Sequence, residues 1–424
     1  MKEMKVISKR FGKVNPMSLA DFIKTDGYTA LKKAVTMEKI NVIEEVQVSK
    51  LRGRGGAGFP THLKMMGLAK ETNIPKYIIC NADEGEPGNF KDRTLLENDP
   101  FQIIEGMTIV AYATGATLGY IYIRGEYQES LRIMKNAIEE ARKNNFLGDK
   151  ILGKSFDFDI QIRSGAGSYV CGEEFALIES IEGKPGRTRV KPPFPTSKGV
   201  FSQPTLINNV ETFANIPVII NITGKEFAKV GTASSTGTKL ICLSGNTKIK
   251  GVFEIPFGVP IRDVINDLGG GVKNDRKIKM VQLGGSCGPI IPEYMLDMII
   301  DYERFEEFES KTGAGAIIVM DDRFDLFDIL LKTVQFFEHE SCGKCVPCRE
   351  GHIQLEIILK KFINKEATTK DLDSLESLAR VIHQTSLCGL GQTSPTSIIS
   401  SLRYFRDEFF DRIDHPVNIE GGSI

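Results

Sequence analysis

The chain has 424 residues, enough for two or three domains and a large core. Charged residues make up 26% and nearly cancel, at a net charge of −1, so there is no electrostatic case for nucleic acid or an acidic membrane surface. Eight cysteines in a chain of this length argue against a secreted disulfide scaffold, and Met1-Lys2-Glu3-Met4-Lys5 lacks the apolar core of a signal peptide; the expected location is cytoplasmic, free or peripheral to a membrane complex.

Residues 1–50 read as a helical lead-in, with Leu31, Val35, Ile40, Ile43 and Val46 at loose helical spacing. The run Leu51–Thr61 then carries G-x-G-x-x-G at Gly53, Gly55 and Gly58. A dinucleotide fingerprint follows a strand, whereas the run before this one reads as helix. The narrower reading is a loop whose backbone N–H groups approach a phosphate or a flat ring, bracketed by Arg52 and Arg54. A surface loop without a ligand is the alternative.

Tyr77-Ile78-Ile79 is a short strand running into Asn81-Ala82-Asp83-Glu84-Gly85-Glu86-Pro87-Gly88. Ligands in open α/β sheets sit at the carboxyl ends of strands, so this acidic loop is a candidate site; a solvated turn is the alternative. Gly106 to Ile123 holds 18 residues without a charge, near the length of a membrane span. Its threonines, glycines and close flanking charges favour a buried helix (about Ile103–Ala113) and a buried strand (about Gly119–Ile123). Ser130–Asn144 is an amphipathic helix with Leu131, Met134, Ile138 and Ala141 inward.

Phe156–Arg163 alternates strictly and predicts a half-buried strand. The glycine loop Ser164–Gly172 and a helix over Glu173–Ile181 follow it. Two glutamates at a helix N-terminus suit the dipole and would repel a phosphate there. They suit ribose hydroxyls or a nicotinamide cation, and should disfavour the 2′-phosphate of NADP; plain charge balancing of the helix is the alternative. Asn208-Asn209-Val210-Glu211-Thr212 is expected at a helix start, where the amides either reach a cofactor or cap the helix.

Composition turns to Ser, Thr and Gly at 232–238, which sets the expected domains at 1–235, 236–322 and 323–424. Strands at Leu240–Leu243, Gly251–Ile255 and Met280–Leu283 with a helix at Ile261–Leu268 predict a small α+β module of β-grasp type. Its turn Gly284–Pro289 carries no obvious chemistry. From Phe324 on the pattern is helical: about Leu326–His339, Pro347–Phe362, Thr369–Gln384 and Ser394–Arg412. Cys342, Cys345 and Cys348 fall in the first connection and Cys388 in the third, at one end of an up-down four-helix bundle. Four thiolates in this pattern suit a [4Fe–4S] cluster, with structural zinc as the rival. His339 and His352 flank the triad without being needed as ligands, and Cys80, Cys171, Cys242 and Cys287 read as unligated thiols.

Assembled, these residues resemble a known family across nearly the whole chain. It is the NADH-binding flavoprotein subunit of complex I (the 51 kDa subunit), with the diaphorase subunits of NAD-linked soluble and bifurcating hydrogenases and of formate dehydrogenases. The resemblance rests on Arg52–Pro60, Asn81–Gly88, Gly165–Glu174, Asn208–Thr212 and the four cysteines, in that order. It implies a multidomain α/β chain: a Rossmann-like FMN- and NADH-binding domain, a β-grasp domain and a helical bundle holding [4Fe–4S]. It implies FMN contacts from Gly53, Arg54, Gly55, Lys64, Asn81, Asp83, Glu84, Gly172, Asn208, Asn209 and Thr212. NADH would be held by Glu86, Glu173 and Glu174, with Phe59 and Phe194 around the adenine. The activity implied is an NADH:acceptor oxidoreductase in which the cofactor carries the hydride chemistry, so no side chain need act as acid or base. The implied partners are a thioredoxin-like [2Fe–2S] subunit and a further iron–sulfur or catalytic subunit.

Lys64-Met65-Met66-Gly67 stands where the family often has Lys-Trp-x-Phe, which removes one adenine-stacking aromatic. No extra ferredoxin-like cysteine motifs are present. Ser386–Thr393 and Leu402–Glu408 look more like the hydrogenase and formate dehydrogenase branch than complex I.

Overall fold

The computed structural model describes residues 2–306 and 313–413. Four strands, β1 (Tyr77–Ala82), β2 (Leu118–Arg124), β3 (Asp159–Gly165) and β4 (Thr205–Asn209), form an all-parallel sheet in the order β3-β2-β1-β4. Parallel strands need crossovers, and helices supply them. Pro100–Thr114 joins β1 to β2 and Gln128–Lys143 joins β2 to β3. The Pro100–Thr114 helix is almost wholly buried because the Val210–Ile222 helix packs along it. A Cβ at Gly106 would lie 2.1 Å from the Phe213 carbonyl oxygen, so glycine is what lets these two helices close. Among the described residues no helix is long and apolar enough to cross a membrane.

The three helices of the lead-in, Leu19–Lys24, Thr29–Ala34 and Lys39–Val48, pack onto the same core. The glycine loop after them follows a helix, as its sequence context predicts. β4 runs into Asn208 and Asn209, where the sequence predicts only a helix start. The sheet order reverses between β1 and β4, which opens a crevice at their carboxyl ends. Register there pairs Cys80 with Asn208 and Asn81 with Asn209, so two distant motifs become neighbours.

The second sheet is mixed, with β5 (Thr238–Gly245), β6 (Gly251–Pro256), β7 (Ile278–Leu283), β8 (Ile290–Pro292) and β9 (Ala316–Asp321) in the order β6-β5-β9-β7-β8. β9 is central, parallel to β5 and antiparallel to β7. Of these five strands, β5, β6 and β7 are foreseen from the sequence and β8 and β9 are not. Ile261–Leu268 is helical as expected, turning from α into a wider π turn at Val264.

Helices Leu326–Glu340, Val346–Asn364, Thr369–Thr385 and Thr396–Tyr404 share a core around Leu330, Leu359, Leu375, Ile382 and Ile398. The expected final helix, Ser394–Arg412, is two pieces. Phe405 leaves helical geometry (φ −128°, ψ 30°) and packs against that core before the short Arg406–Phe410 helix.

Candidate functional site

The crevice at the switch point holds a cleft of about 240 Å³. Its lining comes from the glycine loop (Gly55–Ala57), the β1 loop (within Asn81 to Asn89), Tyr169, Val170, Gly172, Glu173, Asn209, Cys287, Gly313, Ala314, Gly389, Leu390 and Thr393. A second cleft of about 120 Å³ continues from it, sharing Gly55, Ala57, Asn81 and Asn209 and adding Gly53, Phe59, Lys64, Glu174, Asn208 and Thr212. All but two of the sequence-singled nucleotide and flavin residues line these two clefts.

The exceptions are Arg54 and Phe194. The Arg54 backbone N–H donates to Thr212 Oγ1 (2.9 Å), but its guanidinium is fully buried, donating to the carbonyls of Thr236 (2.6 Å) and Arg52 (3.0 Å). It lies over the Phe257 ring, in the seam with the second sheet. Phe194 is exposed and lines neither cleft.

The inner cleft gathers three carboxyls that burial pushes up. Asp83 stands at about 7, with Arg124 pulling weakly the other way. Neither of its oxygens has a hydrogen-bond partner among the described residues. Glu84 is also raised to about 7 by burial and by Asp92, although it accepts from the backbone N–H of Asp92 and Arg93 at 3.0 Å each. Glu86 reaches about 7 by burial, and accepts from Asn89 Nδ2 (2.8 Å) and the Cys287 N–H (3.0 Å). The Gly284–Pro289 turn therefore does have a task, contrary to its sequence reading: it seats Glu86. A Cβ at Gly285 (φ +95°) would lie 2.4 Å from the Glu86 carboxyl carbon, so only glycine fits there.

Where the inner cleft meets the outer one, at Glu173 and Glu174, the charge is arranged differently. Glu173 caps the Glu174–Ile181 helix, accepting from the N–H groups of Phe175 and Ala176, and pairs with Lys191 at 3.2 Å. Glu174 pairs with Lys64 (2.6 Å) and Lys191 (3.0 Å). Burial pushes the Glu174 carboxyl up, but the two lysines outweigh it and hold it at about 2. The two glutamates are thus not bare negative charge; cations from segments far away in sequence balance them.

Beneath the cleft lies a buried charge network with no signal in the sequence beyond the adjacent Lys91 and Asp92. Lys91 Nζ reaches Asp92 (2.6 Å), Asn209 Oδ1 (3.1 Å) and Glu211 (3.0 Å). Glu211 also receives Lys239 (2.5 Å) from β5, whose ammonium burial pushes down to about 8 against the pull of Glu211.

The residues present fit FMN. A buried carboxylate without donors at Asp83 matches hydroxyls of a ribityl chain, and the unpartnered Asn208 Nδ2 matches an acceptor oxygen. The glycine loop leaves backbone room beside Asn209, where a Cβ at Gly55 would come within 3.0 Å of the Asn209 Cβ.

The cysteines occupy two connections at one end of the C-terminal helices. Cys342 and Cys345 lie between Leu326–Glu340 and Val346–Asn364, Cys348 lies in the first turn of the latter, and Cys388 precedes a short helix at Gly389–Thr393. All four pack in one cluster with Tyr169, Val170 and Leu390. Burial pushes the Cys348 thiol up to about 11, and Cys345, Cys388 and Cys342 push the same way. Cys348 Sγ is 3.3 Å from Ser341 Oγ and 3.7 Å from His352 Nδ1, so both histidine and serine support the site from outside.

Tyr169, Val170 and Leu390 line the cleft and belong to the same packed cluster as the four cysteines. A cleft fitted to a flavin, with four clustered thiols behind its wall, defines an iron–sulfur flavoprotein oxidoreductase. Comparison with known proteins names the family. Residues 46–218 match the Nuo51 FMN-binding domain, and residues 328–412 match the NADH-ubiquinone oxidoreductase-F iron-sulfur binding region.

The chain is 44% identical to the NADP-reducing hydrogenase subunit HndC of Solidesulfovibrio fructosivorans, over 97% of this chain and 84% of that one. It is 40% identical to the mitochondrial NADH dehydrogenase flavoprotein 1 of Dictyostelium discoideum, over 90% of this chain and 81% of that one. It is also 40% identical to the mitochondrial NADH-ubiquinone oxidoreductase 51 kDa subunit of Neurospora crassa, over 90% and 79% respectively. Among solved structures it is similar to a chain of an NAD+-reducing [NiFe]-hydrogenase in the H2-reduced state, with a TM-score of 0.84 at 34% identity. That match covers 92% of this chain and 65% of the hydrogenase chain. The protein belongs to the family of NADH-binding FMN and iron–sulfur subunits shared by complex I and NAD(P)-reducing hydrogenases. It is an NADH:acceptor oxidoreductase subunit with an FMN-binding domain and a [4Fe–4S] binding region.

Proposed function

We propose that this chain is the diaphorase subunit of an NAD-linked hydrogenase or formate dehydrogenase, bifurcating or not. It would pass electrons through its cluster to a thioredoxin-like [2Fe–2S] subunit and a further iron–sulfur or catalytic subunit, in the cytoplasm. The single observation that carries the electron-relay reading is the shared wall: Tyr169, Val170 and Leu390 line the cleft and pack in the same cluster as the thiols. The NADH-oxidising 51 kDa subunit of respiratory complex I is the alternative.

Bound FMN supplies the exchange between two-electron hydride and single electrons. The chain's own residues position it. Asp83 would accept from ribityl hydroxyls, Asn208 would donate to a flavin oxygen, and the N–H groups of the Gly53–Gly58 loop, with Lys64, would hold the phosphate. Glu86 holds the nicotinamide end, Glu173 and Glu174 the ribose, and Phe59 one face of the adenine, with Phe194 brought in from the exposed loop. Cys342, Cys345, Cys348 and Cys388 ligate the cluster. We also divide the chain at 1–235, 236–322 and 323–424, the third unit being a four-helix bundle whose last residues, 414–424, lie outside the described residues. The second is read as a β-grasp unit, supported by its parallel central pair β5 and β9.

The test is an anaerobic absorbance titration with NADH and, separately, NADPH, alongside iron and flavin counts. Bleaching by NADH, with about four irons and one FMN per chain, is expected. A colourless protein holding one zinc would overturn the proposal. A second reading, that NADPH also enters, is favoured by Lys64 and Lys191, which offset the two glutamates. The HndC relative is named for reducing NADP. Bleaching by NADPH at a comparable rate would select it.

A further inference from the structure

Lys239 stands on β5 of the second sheet, 2% exposed, and does not line the cleft. Its ammonium makes two contacts, to Glu211 Oε2 at 2.5 Å and to the Ala314 carbonyl at 2.8 Å. Both lead to the cleft. Ala314 lines it directly. Glu211 is fully buried and shares the same carboxylate oxygen with Lys91 at 3.0 Å, while its other oxygen accepts the Leu240 N–H at 2.9 Å. Lys91 in turn donates to Asn209 Oδ1, and Asp92 Oδ2 accepts from Asn209 Nδ2 at 2.6 Å. The Asn209 amide therefore has its oxygen toward an ammonium and its nitrogen toward a carboxylate, which fixes its orientation. The glycine loop packs against that side chain at Gly55.

A buried ion pair contributes little net stability compared with apolar residues of the same shape. Filling the seam between the sheets does not require charge; holding two polar walls at a set separation does. We propose that Lys239 is a positioning residue for the flavin site, setting the Asn209 amide through Glu211 and Lys91 and the facing wall through the Ala314 carbonyl. This rests on the reading of the cleft as the FMN site. Without the ammonium, Glu211 draws Lys91 away from Asn209 and Asp92, and the Ala314 carbonyl loses its donor. One positive charge also leaves a low-dielectric region beside the flavin, which disfavours the more negative, reduced form.

The experiment uses the full chain with its cluster, stripped of and then titrated with FMN. Lys239→Met should weaken FMN binding at least tenfold by flavin fluorescence, keep its iron, and lower the flavin midpoint in an equilibrium redox titration. Glu211→Gln keeps a partner for the Leu240 N–H and removes only the negative charge, so it should raise the midpoint while also weakening FMN. It carries the test alone if Lys239→Met does not fold. Opposite shifts support positioning by charge. Shifts of the same sign, or FMN affinity within twofold and an unmoved midpoint, overturn the proposal and leave Lys239 as a structural group. A parent chain that takes up iron but no FMN would instead fail the reading on which the proposal stands.

Discussion

The two sites share a wall and are put together in opposite ways. The cysteine site draws three thiols from seven consecutive residues and the fourth from another connection of the same helices. The cleft collects residues from both sheets and from the helical region, between Gly53 and Thr393. Its charges are matched over long sequence distances, as where Lys64 meets Glu174 and Lys239 meets Glu211. A site carried by helix ends should fail or survive as a unit, whereas one gathered from many loops should lose function by degrees.

The largest expected effect tests the first half of that contrast. Cys348→Ser removes the most buried of the four clustered thiols, and iron content should fall from about four per chain to near none while FMN is retained. Loss of FMN in step with iron would show that the shared wall makes the two sites one. Next comes Asp83→Leu, which removes the unpartnered carboxylate. FMN affinity should drop by about 1–3 kcal/mol, read by flavin fluorescence, with iron unchanged. Unaltered flavin binding would mean that Asp83 does not face the flavin.

A smaller effect follows from pH. Burial holds Asp83 at about 7, against about 4 for an exposed aspartate. The folded chain keeps a proton that the unfolded chain has lost between about pH 4 and 7, so this group's stabilising contribution is lost as pH rises through that window. Flavin-free Asp83→Asn should therefore gain stability relative to the parent from pH 5 to pH 8, by about 1 kcal/mol or more in denaturant titrations. A difference that stays flat with pH would place the carboxyl in water. Smallest is Glu174→Gln, which leaves Lys64 and Lys191 in excess. The ratio of kcat/KM for NADH to that for NADPH should fall by up to about tenfold, and an unchanged ratio would end the idea of a glutamate filter.

Much of this architecture was legible in the sequence. β1, β2, β3 and the principal helices announce themselves by period and composition, and the cysteine site follows from spacing plus the up-down order of helices. β4 was hidden because Asn208 and Asn209 look like caps, and Asn209 is one, so its strand neighbours went unread. β8 and β9 have meaning only through pairing with β7 and β5. The cleft motifs could be named, but their electrostatic state could not. Glu173 and Glu174 read as uncompensated until Lys64 and Lys191 are brought beside them, and Cys287 reads as idle until its N–H meets Glu86. Arg54 suggested a phosphate contact by position, yet its side chain serves the seam between sheets.

The place of β9 gives the molecule a calendar. It is the middle strand of its sheet and the last of the five to leave the ribosome. Until it inserts, β5 and β7 each present an open edge, and such non-local pairings form slowly. Gly313 and Ala314, just ahead of it, reach the cleft only when it docks, and Gly389–Thr393 arrive later still, beside Cys388. The cleft is therefore finished by the same stretch of chain that completes the thiol set, and both sites ripen together.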